Sequence, residues 1–393
     1  MTSLPPSLPS RFRPPGPEGP ASPEVRRLGE ALLRRDPLAD AVVEAFATQP
    51  PGRGFALLEQ GLAEGRDALP EAPKALLTLL DTLDQAPPWL DSARREAGAA
   101  ALLRSGAAAG IVLGMKSLVL GYASPAGNKA LMFSGQLQEK TPRRLAETSR
   151  FVQAVSQPGG MERYGQGLAI TVKVRIMHAQ VRRLIDRSGR WQPEAFGEPI
   201  NQHDMLATVI LFSAALVEGL RKLGYAVSAR EADDISHLWR EVGLRMGVED
   251  ALLPETHAKA LSLAERIQAA QAPPDDDSRA LVAALFSSRP HMARTPKEKK
   301  VAERRAGVMQ ALCRHLIGDR LADELGVVRN RWAGVTLAVK PALALAARVN
   351  RLPGVRQAAA RAGNAYWTAA VAEVLGDAEA AFAPPESLRQ GAA

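Results

Sequence analysis

VKVRIMHAQVRRLID, running from Val172 to Asp186, has the apolar period of a buried helix but holds three polar residues within it. Arg175, His178 and Arg182 are spaced i, i+3 and i+7, so a helix places them on one face. Their neighbours are apolar: Val172, Val174, Ile176, Met177, Val181, Leu184 and Ile185. Burying an imidazole and two guanidiniums is unfavourable unless each finds a partner. A lone histidine on such a face is most often a satisfied core residue. With two arginines beside it, one anionic partner with a metal at its centre serves all three. Haem has that chemistry, with iron for the imidazole and propionates for the arginines.

Working outward from this helix, the rest of the chain reads as all-α. Long periodic apolar runs are bounded by Gly and Pro, and β-branched alternation is rare. Ala93 to Leu120 is predicted as a buried helix pair whose small residues, Gly106 to Gly110, allow close approach. Thr141-Pro142 has the form of an N-cap followed by Pro at N1, opening a helix to about Ser156. Asp204 to Leu223 reads as one helix closed by Gly224, and Ala232 to Met246 as another. Helices are also predicted near His257–Ala270, Arg279–Phe286 and Val301–Gly318. Arg294–Lys300 reads as a basic, mobile segment, and Ala272–Asp277 as the best candidate linker.

The chain has 393 residues, a net charge of +8 and only 5% aromatics. Its arginines are dispersed over many helices, with neither zinc-finger spacing nor aromatic–basic interleaving, so nucleic acid is not an expected partner. Cys313 is the one cysteine, which excludes an internal disulfide and covalent haem attachment through C-x-x-C-H. Any haem is therefore non-covalent. The Pro-rich stretch 1–22 lacks the apolar centre of a secretory signal and reads as a disordered arm. The apolar runs Gly106–Met115 and Met205–Val217 are shorter than the ~20 residues of a membrane span. The expected location is the cytoplasm.

A second polar constellation is Arg144, Glu147 and Thr148, at i, i+3 and i+4. It is either a solvated helix face or a polar cluster above a metal, able to hydrogen-bond oxygen or act as a base. His203 is expected near a helix cap supplied by Asn201 or Asp204. His237, Trp239 and Arg240 read as structural, His315 and Asp319 as a surface pair, and Cys313 as a small buried hydrophobe.

Four segments carry a resemblance: ETSRFV (Glu147–Val152), VRIMHAQVR (Val174–Arg182), FGEPINQHDM (Phe196–Met205) and HLWREVGLRMGV (His237–Val248). Together they resemble the latex-clearing-protein / MpaB oxygenase family, over roughly Ala93 to Val327. The resemblance implies a globin-like helical core around haem b, and O2-dependent cleavage of carbon–carbon double bonds in isoprenoid chains. It makes His178 the proximal iron ligand. Arg175 and Arg182 become the arginines that orient the haem, with Arg314 matching a late family arginine. Arg144 and Thr148 fall on the opposite side of the haem. Rubber-cleaving members carry a lysine at the position of Glu147, and a glutamate upstream where this chain reads Asn128-Lys129. Glu147 is then the candidate base or proton relay.

The expectation is one helical domain over 23–380, with a family-like core over 93–327 and a flexible tail over 381–393. It is expected to be a haem-dependent oxygenase taking O2 and an apolar, isoprenoid or alkene substrate. Three alternatives remain: a haem monooxygenase or peroxygenase, a non-catalytic haem carrier or sensor, and a helical interaction protein with no cofactor.

Overall fold

The computed structural model describes residues 8–13, 22–132 and 137–375, and every regular element among them is helical. The lead-in comprises α1 (Pro23–Glu30), α2 (Pro37–Ala47), α3 (Arg53–Glu64) and α4 (Lys74–Asp84). The first two start alike. The Ser22 side chain accepts the Val25 N–H, the Asp36 side chain accepts the Ala39 N–H, and Pro sits at N1 in both. In α4, Leu76, Leu79, Leu80 and Leu83 form the buried stripe expected of an amphipathic helix. Within the Pro-rich arm, residues 8–13 are docked. Arg11 makes a two-pronged ion pair with Asp204 at 2.6 and 2.9 Å, and Phe12 is buried. Residues 1–7 and 14–21, and the predicted tail 381–393, lie outside the described residues.

The central helix α5 (Ser92–Val112) runs into a π-helical turn, Leu113–Ser117, and then α6 (Leu118–Tyr122). The predicted pair over Ala93–Leu120 is this assembly. Its break is at Gly106 (φ 42°, ψ −119°), a conformation open to glycine and hostile to a Cβ. Here α19 (Val355–Leu375) crosses α5. A Cβ on Gly363 would lie 1.7 Å from the Leu103 carbonyl oxygen, so the two backbones touch. Gly363→Ala should therefore force α19 off α5 and destabilise the protein by roughly 3 kcal/mol. Thermal denaturation should show a clear fall in Tm, and an unchanged Tm would mean that the crossing is not tight.

Next come α7 (Lys129–Met132), α8 (Leu137–Val155), α9 (Gln166–Arg187), α10 (Pro193–Phe196), α11 (Gln202–Phe212), α12 (Ala214–Lys222) and α13 (Ala229–Arg245). Thr141 does not cap α8. The helix already runs from Leu137, and Pro142 sits inside it, forfeiting a single i to i−4 bond. The helix predicted over Asp204–Leu223 is two, broken at Ser213 (φ −108°, ψ −86°). Asn201 supplies the cap of α11 by accepting the Asp204 N–H, while His203 instead uses Nδ1 on the Leu28 carbonyl at 3.0 Å.

The remainder is α14 (His257–Ala269), α15 (Asp276–Met292), α16 (Pro296–Ile317), α17 (Asp319–Glu324) and α18 (Val335–Val349). The segment expected to be mobile is the start of α16. Thr295 accepts the Glu298 N–H and Pro296 takes N1, so residues 296–300 are helical. His315 and Asp319 are not paired. Gly318 ends α16 between them, Asp319 joins Arg314 and Arg329, and His315 meets the Lys222 carbonyl. The predicted linker is tied down, because Asp275 caps α15 and Asp275 and Asp277 both hold Lys129.

α5 packs between α13 and α19, and α8 packs against α9, α15 and α19. Joined through their breaks, Ser92–Tyr122 and Gln202–Lys222 are long and apolar enough to cross a membrane, contrary to the shorter runs read from sequence. In this fold each is 67% buried, so their apolarity is met by core packing.

Candidate active site

A cavity of about 2020 Å³ is lined by residues of α5 to α9, α11, α13, α15, α16 and α19. This is larger than the ~300–1,000 Å³ usual for a small-molecule site, with room for a prosthetic group and a substrate together. The wall is mainly apolar. Phe212 stacks on Trp239 with centroids 4.7 Å apart, and Phe151 meets Trp239 edge-on at 5.9 Å.

His178 lines this cavity from the middle of α9, and its Nδ1 is buried with no hydrogen-bond partner among the described residues. Burial, with the nearby Arg182 charge, pushes its pKa down to about 4 against a weaker pull from Asp36. The ring is neutral at pH 7 and keeps a lone pair for a metal. Trp239 and Trp367 also line the cavity, with indole N–H groups that have no partner among the described residues.

The three residues that share a face in the sequence part company in the structure. Arg175 donates from Nε and Nη2 to Asp36 at 2.6 and 2.8 Å, and Arg182 donates from Nε to Asp40 at 2.7 Å. Both guanidiniums turn toward α2, outside the cavity wall, and only His178 faces in. Arg314 is equally committed, to Asp319, Asp323 and the Val327 carbonyl, and does not line the cavity. The common anionic partner expected for Arg175 and Arg182 is thus replaced by two aspartates of this chain. Burying them leaves each arginine neutralised at home.

Arg144, Glu147 and Thr148 do come together on the cavity wall, all from α8. Glu147 Oε1 accepts from Arg143 Nε at 3.0 Å, and the Thr148 hydroxyl donates to the Arg144 carbonyl at 2.8 Å. Among the described residues the Arg144 guanidinium has no hydrogen bond or ion pair. Its charge acts on the buried Tyr122 phenol, whose pKa burial raises and Arg144 opposes. Tyr122 is a site residue that sequence reading missed, since nothing in its own segment marks it. Asn128 also lines the cavity, but its amide is taken by the Tyr122 carbonyl at 2.5 Å and Ser278 Oγ at 3.3 Å. That position is a structural tie in this chain.

With this geometry in place, the likenesses to known proteins fall into line. Residues 94–351 match the family described as ER-bound oxygenase mpaB/B'/rubber oxygenase, catalytic domain. The chain is similar to the rubber oxygenase of Streptomyces sp. (strain K30), with 24% identity over 302 residues, covering 75% of this chain and 70% of that protein. Its fold is shared with latex clearing protein LCP in the closed state, at a TM-score of 0.69 and 21% identity, over 89% of this chain and 93% of the other. The all-helical architecture and the resemblance read from sequence are both borne out. The chain belongs to the mpaB/rubber oxygenase catalytic-domain family and is an oxygenase.

Proposed function

We propose that this oxygenase binds haem b through His178 and uses O2 to cleave a carbon–carbon double bond in an apolar isoprenoid chain. The observation that carries the reading is the neutral His178 imidazole, with its orphaned Nδ1, on the wall of a cavity of about 2020 Å³. Among the described residues no group of three or more His, Cys, Asp or Glu is placed to hold a bare ion. A metal at His178 would therefore need its remaining ligands from a prosthetic group. Bound haem supplies redox-active iron for oxygen chemistry.

The protein's own part is positioning, charge and exclusion of water. The Asp36–Arg175 and Asp40–Arg182 pairs clamp α9 to α2 and so fix the direction of His178. Arg144, a wall guanidinium with no partner among the described residues, would stabilise negative charge developing on oxygen. The Phe151, Phe212 and Trp239 cluster gives an apolar wall for a hydrocarbon chain. Balanced, one C=C and one O2 give two carbonyl ends. The name of the similar Streptomyces protein, a rubber oxygenase, supports polyisoprene as the first substrate to try.

The test is incubation of the haem-loaded enzyme with polyisoprene and with short isoprenoids, with and without O2. Carbonyl-ended fragments that require O2 support cleavage. Hydroxylated product of unchanged length would replace it with monooxygenation, and a haem protein that turns over neither would be a carrier or sensor.

Glu147 is the acid–base candidate, on the wall and accepting a hydrogen bond from Arg143 alone among the described residues. Glu147→Gln should lower kcat by roughly a hundredfold while leaving haem content unchanged. Steady-state oxygen uptake reads this directly, and an unaltered kcat removes Glu147 from proton handling.

A further inference from the structure

From Leu325 to Ala372 the sequence holds seven Lys and Arg and no Asp or Glu. This stretch contains α18 and most of α19. In α18 the apolar residues do not all turn inward. Leu337 is 82% exposed, Leu345 62% and Val349 40%, and just past the helix Leu352 is 53% exposed. Pro341 and Ala342 are exposed between them. Positions 337, 341, 345 and 349 are spaced by four, so they form one continuous aliphatic stripe on the outer face. Scattered exposed leucines need no explanation, but a stripe of this length along one helix does.

Every charge carried by the stretch itself is positive. Arg329 and Arg351 are neutralised by Asp319 and Glu231 at 3.0 and 2.6 Å. Lys340, Arg348, Arg356 and Arg361 are exposed, with no acidic partner among the described residues. At the start of the stretch, Arg331 lies over the half-buried Trp332 ring, 5.3 Å from its centroid. An exposed aliphatic stripe on a helix that also carries the unpaired Lys340 and Arg348, with Arg356 following, has the composition of a helix lying in a membrane interface.

We propose that the outer face of α18 docks on an anionic lipid bilayer. A second copy of this chain is a poor occupant, because a two-fold contact would set the unpaired Lys340 and Arg348 against their own copies. A convex helix bearing Leu, Val, Pro and Ala offers no groove for a peptide, whereas fluid acyl chains fit around it. α18 packs on α16, which lines the cavity, so the lipid-facing helix and the cavity share a wall element. The inference stands on exposure and charge alone and does not depend on haem or on the reaction.

The test is flotation of the full purified chain with vesicles of phosphatidylcholine containing about a third phosphatidylglycerol, against pure phosphatidylcholine, at low salt. The chain should float with the anionic vesicles, stay behind with the neutral ones, and be released by salt. Leu337→Glu with Leu345→Glu should weaken binding by roughly tenfold or more. Arg348→Glu with Arg356→Glu should weaken it on the order of a hundredfold. All these side chains are exposed, so the helical circular dichroism should not change. A wild-type chain that does not float, or binding that survives both pairs of substitutions, overturns the proposal. So does light scattering that shows a dimer which Leu337→Glu with Leu345→Glu splits, since that assigns the face to a second copy.

Discussion

His178→Ala should abolish stoichiometric haem binding while leaving a folded protein. The imidazole faces a cavity of about 2020 Å³, so its loss enlarges a space that already exists and removes little core packing. Its Nδ1 has no hydrogen-bond partner to strand. The large-to-small penalty of a packed core position therefore does not apply in full. Haem content should fall from one per chain to near zero, with helical circular dichroism and Tm close to those of haem-free wild type. Added imidazole should restore a Soret band by occupying the vacated ligand position. Undiminished haem in the variant would show that the iron is held elsewhere.

Asp36→Asn should cost about 3–5 kcal/mol, a large part of the ~5–15 kcal/mol that stabilises a typical domain. Asp36 and Arg175 are both buried and make two hydrogen bonds at 2.6 and 2.8 Å. Removing the carboxylate charge leaves a guanidinium in a low-dielectric site without compensation. The asparagine still caps α2, so loss of the cap does not explain the effect. Urea unfolding should show a much lower midpoint at an unchanged m-value. Asp36→Leu with Arg175→Met, which removes both charges and keeps the volume, should recover most of the loss. An unchanged midpoint in Asp36→Asn would mean that Arg175 has another anionic partner in solution, which would return it to the role expected from sequence.

That contrast marks where sequence reading stops. The His178 helix was legible from its period, and His178 was singled out by the two arginines on its face, although they turn out to have other partners. The direction of Arg175 was not legible, because its partner lies 139 residues upstream, in a lead-in helix with no local mark of a site. The face shared by Arg144, Glu147 and Thr148 was legible, since all three sit on one helix with one cavity in front of it. Tyr122 and the Phe212–Trp239 stack were not, because they are assembled from separate elements.

Helix ends show the same division. Thr-Pro occurs twice, and it caps α16 at Thr295 but lies inside α8 at Thr141. The local chemistry is identical, and what differs is whether the preceding residues are helical. Arg294–Lys300 reads as basic and mobile, yet the cap at Thr295 and the helix that follows order it from Pro296 on. The break at Gly106 was visible only as a run of small residues. Its cause is the close passage of α19, which no window of local sequence contains.

The most direct measurement is the visible spectrum of the purified wild-type chain after haem-supplemented expression, with a pyridine haemochrome assay of the same sample. A Soret band and one haem b per chain are expected, both lost in His178→Ala. A colourless protein that also fails to take up added hemin would contradict haem ligation by His178 and leave an oxygenase whose cavity serves a different cofactor.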